Sequence, residues 1–190
     1  PRQPVSNSNM RFISAKPLVN DSRSKGYAVP ALNTNGATYD ITRAALEAAD
    51  ELSSPLILQV YEPNTEYRGF DYFVKTAGHL ADELSIKIPV ALQVDHGHSY
   101  ETAEKAMKAG FTSFMFDASH DPLEENIAKT VEVVKLGKKF GCSIEAEVGY
   151  VKGNEPSKEK LIGRIPVAEK PVLPPAKTDI KEVVQFVNEV

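Results

Sequence analysis

The sequence contains no tryptophan and only one cysteine, Cys142. A single cysteine cannot form an internal disulfide, which agrees with a reducing compartment. Because Cys142 comes just before an apolar segment, we expect a small buried side chain there and not a nucleophile. Long apolar runs are also missing: stretches such as residues 89–94 fall far short of the ~20 residues that a membrane-spanning helix requires. No apolar signal-peptide core stands at the N-terminus. These absences predict a cytoplasmic protein.

There is also no long run of basic residues. The formal net charge is −4, with acidic and basic residues interspersed. The chain therefore lacks the electrostatic footprint of a protein that binds a nucleic-acid backbone or an anionic membrane. We therefore expect the protein to act on a small molecule or to bind another protein. A length of 190 residues and a hydrophobic content of 42% fit one domain with a sizeable core.

Short apolar segments alternate with amphipathic helical patterns along the chain. Residues 1–9 are polar and aperiodic, which predicts a flexible N-terminal arm or an expression remnant, so the domain runs from 10 to 190. Asp121 is the predicted N-cap of the fourth helix, with Pro122 in its first helical position, and Asp179 is the predicted N-cap of the fifth. The predicted strands are 27–33, 56–60, 90–96, 113–118 and 143–149, and the helical patterns between and after them are centred on 41–52, 73–84, 103–107, 127–134 and 180–187.

This alternation predicts parallel strands joined by right-handed crossovers, which a doubly wound sheet or a (β/α)8 TIM barrel would satisfy. The first strand-to-helix turn, residues 33–37, lacks the Gly-x-Gly-x-x-Gly fingerprint of a dinucleotide site. Polar side chains instead follow the carboxyl ends of several strands, which form the catalytic face of a barrel. We therefore predict an α/β fold, a TIM barrel of which about five β/α units are present. The polar residues at the strand ends are Asn33, Gln59, Asp95, His96, Asp117 and Glu147.

The sharpest local signal is Gln-Val-Asp-His-Gly-His at 93–98, where an apolar strand ends in an acid and two histidines. Neutral imidazole is a good zinc ligand and a neighbouring carboxylate can transfer protons. Polar residues that merely end a strand would give the same pattern. Alternation along a regular strand would place His96 and His98 on one side and Asp95 on the other.

Two further acids, Asp117 and Glu147, end the next two predicted strands. Three adjacent strands would thus present acid or imidazole groups at one mouth. Like charges repel there unless a cation or a shared proton lies between them. The pattern therefore favours a metal site over a set of unrelated surface residues.

Five motifs at successive strand ends, taken together, resemble those of one protein family. They are Ala-Leu-Asn at 31–33, Leu-Gln-Val at 58–60, Val-Asp-His-Gly at 94–97, Phe-Asp-Ala-Ser-His at 116–120 with Pro-Leu-Glu-Glu-Asn at 122–126, and Glu-Ala-Glu-Val-Gly at 145–149. Together they resemble the N-terminal five-eighths of a class II, zinc-dependent fructose-bisphosphate or tagatose-bisphosphate aldolase.

The resemblance implies a lyase that cleaves or forms a phosphorylated ketose, with dihydroxyacetone phosphate and an aldehyde as products. It also implies Zn²⁺ as the cofactor and a homo-oligomer, either a dimer or a tetramer. The matching positions are Asp95 for the acid/base residue, His96 for a zinc ligand, Asp117 and Glu147 for acids that hold or relay the zinc, and Asn33 and Gln59 for polar residues near the substrate.

Two positions depart from the family pattern. His98 stands where many relatives have a small polar residue, and Tyr61 where relatives often have serine on the path to a substrate phosphate. A zinc lyase for another phosphorylated sugar is therefore an alternative. Because these residues hold only part of the family's metal site, a non-catalytic, aldolase-derived binding or scaffold protein is a second alternative. The family's last three strands and two further zinc histidines lie beyond these residues. We expect them in a longer polypeptide, with a second chain or a divergent half-barrel as alternatives, and we expect the 190-residue segment alone to be inactive.

Residues 150–177 separate the fifth predicted strand from the fifth helix, and prolines and charges in this segment disfavour a packed element. We predict a long mobile loop there, and limited proteolysis should cut within it first. Initial cleavage in the strand-to-helix turns, with 150–177 left intact, would contradict the prediction.

Overall fold

The computed structural model describes residues 12–149 and 178–190. The predicted arm over 1–9 and the predicted loop over 150–177 lie outside these residues. No helix in the described ranges is long and apolar enough to cross a membrane.

The described strands form one parallel sheet in the order β1-β2-β3-β4-β5. Each strand pairs with the next strand of the sequence, as the alternation of strand and helix predicts. All five carboxyl ends therefore lie along one edge of the sheet. The strands are β1 Ala31–Asn33, β2 Leu56–Tyr61, β3 Val90–Gly97, β4 Ser113–Phe116 and β5 Ser143–Ala146.

A helix follows every strand, as predicted, and one further helix precedes the sheet. The helices are α1 Ala15–Lys25, α2 Tyr39–Glu51, α3 Gly69–Glu83, α4 Tyr100–Ala109, α5 Leu123–Phe140 and α6 Ile180–Glu189, and a short 3-10 helix spans Glu62–Thr65. Helix α1 is not predicted by the sequence pattern. Its sequence is mostly polar, so apolar residues at helical spacing are too few to indicate a helix.

The predicted fourth and fifth strands end earlier in the structure, at Phe116 and Ala146 and not at residues 118 and 149. Two other predicted boundaries are wrong for local reasons. The first strand begins at Ala31 and not at residue 27, because the N–H groups of Gly26 and Tyr27 both donate to the Ser22 carbonyl and so end α1. The predicted N-cap Asp121 does not cap α5: Pro122 is the N-cap, with no side-chain cap, and Asp121 forms an ion pair with Lys129 at 2.8 Å.

The N-cap predicted for the last helix is confirmed. The Asp179 carboxylate accepts a hydrogen bond of 2.8 Å from the Lys181 N–H. This bond satisfies one of the backbone donors left free at the start of a helix.

The two faces of the sheet are covered differently. On one face, alternate residues of β2 and β3 such as Leu58 and Leu92 are fully buried beneath the helices that follow the strands. On the other face, Ile57 and Ala91 pack against Leu18 of α1. This second face is the inner side of the sheet, and α1 covers its amino-terminal part.

Helix α5 approaches β5 so closely that only glycine fits at one position of their contact. A Cβ atom at Gly137 would lie 2.8 Å from Ile144 Cγ1 and 2.9 Å from the carbonyl oxygen of Cys142. Cys142 itself is buried, as predicted, and its burial raises the pKa of the thiol to about 12. Such a thiol remains protonated near neutral pH and is a poor nucleophile.

We predict that Gly137→Ala lowers the free energy of unfolding by roughly 1–3 kcal/mol, because the added methyl group forces α5 away from β5. Gly78→Ala is the matched control: it lies within α3, and its nearest neighbour would be Phe12 Cε2 at an ordinary 3.9 Å. Alanine at residue 78 should stabilise the helix by about 0.5–1 kcal/mol. Urea denaturation measures both effects, and equal stability of the two variants would contradict the close contact.

Candidate metal and substrate site

Parallel register places the predicted polar residues in two layers at the carboxyl edge of the sheet. Asn33 lies level with Gln59, which lies level with Gln93. Tyr61 and Asp95 form the next layer, two residues further along their strands and closer to the mouth.

The end of β3 is irregular. Its pairing with β4 shifts between Val94 and Gly97, and His96 has a left-handed φ of 54°. Gly97 lies against the ring of Phe114, where a Cβ atom would come within 2.1 Å of Cζ. A non-glycine residue with positive φ costs about 1–3 kcal/mol, so the surrounding structure must hold His96 in this conformation.

This irregularity overturns the alternation expected for the end of β3. Asp95 does not point away from His96, because Asp95 Oδ1 lies 3.9 Å from His96 Nε2. The His98 ring stacks on the His96 ring, with centroids 6.5 Å apart. The acid and both histidines therefore share one side of the mouth.

The side chains of His96, Asp117 and Glu147, from three adjacent strand ends, converge at the mouth. The Nδ1 atom of His96 lies 2.8 Å from Asp117 Oδ2 and 3.9 Å from Glu147 Oε2. Asp117 is buried, while His96 and Glu147 are half-buried. The convergence predicted from the sequence for these three residues is present in the structure.

The protonation equilibria of this group depend on the competition between burial and charge. Burial disfavours the charged form of His96, but the hydrogen bond to Asp117 and the fields of Asp95, Asp117 and Glu147 outweigh it, so the pKa of His96 is raised. Burial likewise disfavours the charged form of Asp117. Hydrogen bonds from the Ser119 hydroxyl and N–H, with that from His96, outweigh it, and the pKa of Asp117 is lowered.

Asp95 is oriented by Asn33. The Asn33 Nδ2 group donates to Asp95 Oδ2 at 2.7 Å, and its Oδ1 accepts from the Tyr61 N–H at 3.2 Å. One amide therefore joins the ends of β1, β2 and β3. Asn33 itself is exposed, so the pair faces the open mouth.

Gln59 lies one layer below Asp95 and is half-buried. Its backbone carbonyl accepts hydrogen bonds from the Thr34 N–H at 3.0 Å and the Thr34 hydroxyl at 3.1 Å. These bonds fix the turn that follows β1. Tyr61 is closer to the predicted metal ligands, because its ring meets the His96 ring edge-on with centroids 6.4 Å apart.

Three residues that support the strand ends, Asn126, Glu62 and Ser119, were not predicted from the sequence. The Asn126 side chain on α5 donates to the Glu147 carbonyl at 2.8 Å and is almost fully buried. Glu62 accepts one hydrogen bond from the turn after β3 and one from the first turn of α4. Neither sequence position carries a signal for such a contact, because each depends on how separate elements pack. Ser119 could have been found, since Asp-x-Ser favours a local hydrogen bond of this kind.

The donor set of His96, Asp117 and Glu147 fits a metal ion. Each residue offers one ligand atom, and the three atoms lie within 4.8 Å of one another. Nitrogen and oxygen ligands around a small divalent cation are separated by roughly 3–4 Å when each bond is about 2.0–2.2 Å. A cation would also relieve the repulsion between the two carboxylates.

Fold and site together define a class of protein. Parallel β/α units with an imidazole–carboxylate cluster at the carboxyl ends of their strands are the arrangement of TIM-barrel proteins with a functional site at this face.

The family follows from comparison with known proteins. Residues 13–190 match the family model described as class-II fructose-bisphosphate aldolase, so the chain belongs to that family. It is 45% identical over 147 residues to the probable fructose-bisphosphate aldolase of Bacillus subtilis (strain 168), and 45% identical to the fructose-bisphosphate aldolase of Staphylococcus aureus (strain Mu50 / ATCC 700699). Each alignment covers 77% of this chain and 51% of the relative, so the chain spans about half the length of these proteins.

Solved structures confirm the predicted fold. The YdjI aldolase from Escherichia coli K12 superposes with a TM-score of 0.72 at 28% identity, over 94% of this chain and 61% of that one. A fructose-1,6-biphosphate aldolase from Coccidioides immitis, described as putative, gives 0.72 at 26% identity, over 92% and 57%. The sheet described here therefore corresponds to five consecutive β/α units of a TIM barrel.

We predict that the His96 imidazole titrates above its ordinary pKa of 6.5 in the metal-free protein. Because the folded-state pKa is raised, protonated His96 stabilises the fold in full below pH ~6.5, and this contribution is lost as the pH rises through the raised value. NMR titration of the ring nitrogens measures the pKa. Asp117→Asn should lower it, while Asp71→Asn, on the exposed side of α3, should not change it. An unchanged value in Asp117→Asn would contradict the pairing.

Proposed function

We propose that the protein containing this chain cleaves and forms the carbon–carbon bond of a phosphorylated ketose, using Zn²⁺ at the cluster of His96, Asp117 and Glu147. The substrate would be fructose 1,6-bisphosphate or tagatose 1,6-bisphosphate, and the products dihydroxyacetone phosphate and an aldehyde. The main observation behind the proposal is the convergence of three ligand atoms from three strand ends, within 4.8 Å, in a chain of the class-II aldolase family.

Imidazole nitrogen together with carboxylate oxygen is a ligand set that suits Zn²⁺. When bound, Zn²⁺ would supply Lewis-acid polarisation of the ketose carbonyl. The Ser119 hydroxyl and N–H hold the Asp117 carboxylate from the side away from His96, with bonds of 2.6 and 3.0 Å to Oδ1. This support leaves Oδ2 directed at His96, where a ligand atom is needed.

Asp95 is the proposed general acid and base. In the cleavage direction its carboxylate removes the proton of the hydroxyl group next to the breaking bond, and in condensation it returns that proton to the new alcohol. Asn33 holds Asp95 Oδ2, while Oδ1 lies 3.9 Å from His96 Nε2. The proton acceptor is therefore oriented beside the proposed metal ligand. Asn33 and Gln59 line the approach and would contact the substrate.

A zinc lyase for a different phosphorylated sugar is the second candidate. Tyr61 favours it, because its ring lies edge-on to His96 at the position where the family resemblance led us to expect a serine near a substrate phosphate. A tyrosine ring there changes both the shape of the mouth and its hydrogen-bonding groups. Comparing turnover of the ketose bisphosphates with that of ketose monophosphates would separate the two candidates.

We predict that Asp95→Asn abolishes aldol cleavage while Zn²⁺ stays bound, whereas His96→Ala loses metal and activity together. General acid–base groups contribute about 10²–10⁴-fold to a rate, while loss of a ligand removes the Lewis acid itself. Both variants would be made in the full-length protein. Mass spectrometry would measure their zinc content, and a coupled assay would measure their cleavage activity.

Asp40→Asn, an exposed position in the first turn of α2, removes the same charge and should retain full activity. Equal metal loss in the Asp95 and His96 variants would mean that Asp95 is itself a ligand. Full activity of Asp95→Asn would mean that Asp95 is not the general acid and base. Absence of cleavage by the wild-type whole protein would favour a non-catalytic, aldolase-derived scaffold instead.

A further inference from the structure

Glu62 connects the end of β2 to the turn that follows β3. It is the first residue of the 3-10 helix and is half-buried. Its Oε2 atom accepts from the His98 N–H at 3.1 Å, and its Oε1 atom accepts from the Thr102 hydroxyl at 2.8 Å. One carboxylate oxygen therefore holds the turn between β3 and α4, and the other holds the first turn of α4.

The direction of these hydrogen bonds is fixed by the local network. Ser99 is the N-cap of α4, and its hydroxyl oxygen accepts from the Thr102 N–H at 3.0 Å. The same Ser99 hydroxyl donates to Thr102 Oγ1, also at 3.0 Å. Because the Thr102 hydroxyl accepts from Ser99, its own proton is free to point to Glu62. The network thus requires an acceptor at both oxygens of residue 62, which a carboxylate provides.

The turn supported by Glu62 begins two residues after His96, the strained residue of the site. His96 has a φ of 54°, a conformation that a histidine adopts only when its surroundings impose it. On one side, Gly97 is fixed by its close packing on the Phe114 ring. On the other side, the backbone continues to the His98 N–H, which Glu62 binds. Release of that bond would allow residues 96–98 to relax toward ordinary strand geometry and would turn the His96 ring.

We propose that Glu62 is a positioning residue that holds His96 in its metal-binding orientation through the backbone of residues 96–98. The inference rests on the metal site proposed above. Glu62 also positions His98 by binding its backbone N–H. The His98 ring donates from Nδ1–H to the Asp117 carbonyl at 3.3 Å and stacks on the His96 ring. One carboxylate at the end of β2 would therefore control both the backbone and the ring environment of the proposed ligand.

The test compares Zn²⁺ affinity in the whole protein carrying Glu62→Ala or Glu62→Gln, measured by competition with a chelator. Loss of support beyond the ligands typically weakens metal binding by about 10–100-fold, which is the effect expected for Glu62→Ala. A glutamine side chain has a single carbonyl oxygen and can accept only one of the two bonds, so Glu62→Gln should give an intermediate affinity. Glu66→Gln, an exposed glutamate at the end of the same 3-10 helix, is the matched control and should bind as the wild type.

A spectroscopic measurement separates positioning from general destabilisation. In the metal-free protein, Glu62→Ala and Glu62→Gln should shift the ring NMR resonances of His96 and leave those of His79, an exposed residue of α3, unchanged. If Glu62→Ala does not fold, the Glu62→Gln result decides. Affinity of Glu62→Gln within about twofold of wild type, with unshifted His96 resonances, would overturn the proposal.

The same titration of His96→Ala distinguishes the two proposals. If His96→Ala binds Zn²⁺ as well as the wild type, the metal site itself is wrong and the Glu62 proposal falls with it. If His96→Ala loses Zn²⁺ while the folded Glu62 variants keep it, only the role of Glu62 is refuted.

Discussion

Parallel pairing of strands in sequence order is the constraint on which the described site depends. It places the carboxyl ends of all five strands along one edge, so residues far apart in sequence become neighbours. Asn33 and Asp95 are separated by 62 positions and still form a hydrogen bond of 2.7 Å. An antiparallel arrangement would send alternate strand ends to opposite edges and would divide these residues between them.

Charge is the second organising feature of the mouth. Asp95, Asp117 and Glu147 surround the imidazole of His96, and burial makes each unbalanced charge more costly. The hydrogen bonds from Ser119 stabilise ionised Asp117. A proton on His96 or a cation among the ligand atoms compensates the remaining negative charge. The same side chains can therefore hold either a proton or a metal ion, and the two compete for His96.

Much of the fold could be predicted from the sequence, because apolar periodicity reports directly on burial. All five strands and the five helices that follow them are predicted by the sequence. The convergence of His96, Asp117 and Glu147 is predicted as well, because polar residues at the ends of buried strands are conspicuous. Helix α1 was missed because its contacts with Ile57 and Ala91 are few and its sequence is mostly polar. The irregular end of β3 could not be predicted from alternation, since it accompanies contacts between separate strands, such as the close approach of Gly97 to Phe114.

The order of the strands also bears on how the protein forms during synthesis. Among the described strands, each one from β2 to β5 leaves the ribosome after the strand that precedes it in the sheet, because β2 pairs with β1, β3 with β2, and so on to β5. The pairing partners are close in sequence, which keeps the entropic cost of closing each loop small. The mouth can therefore be assembled one residue at a time, with Asn33 in place before Asp95, and His96 in place before Asp117 and Glu147. Vectorial translation would build this site in the same order in which the gene encodes it.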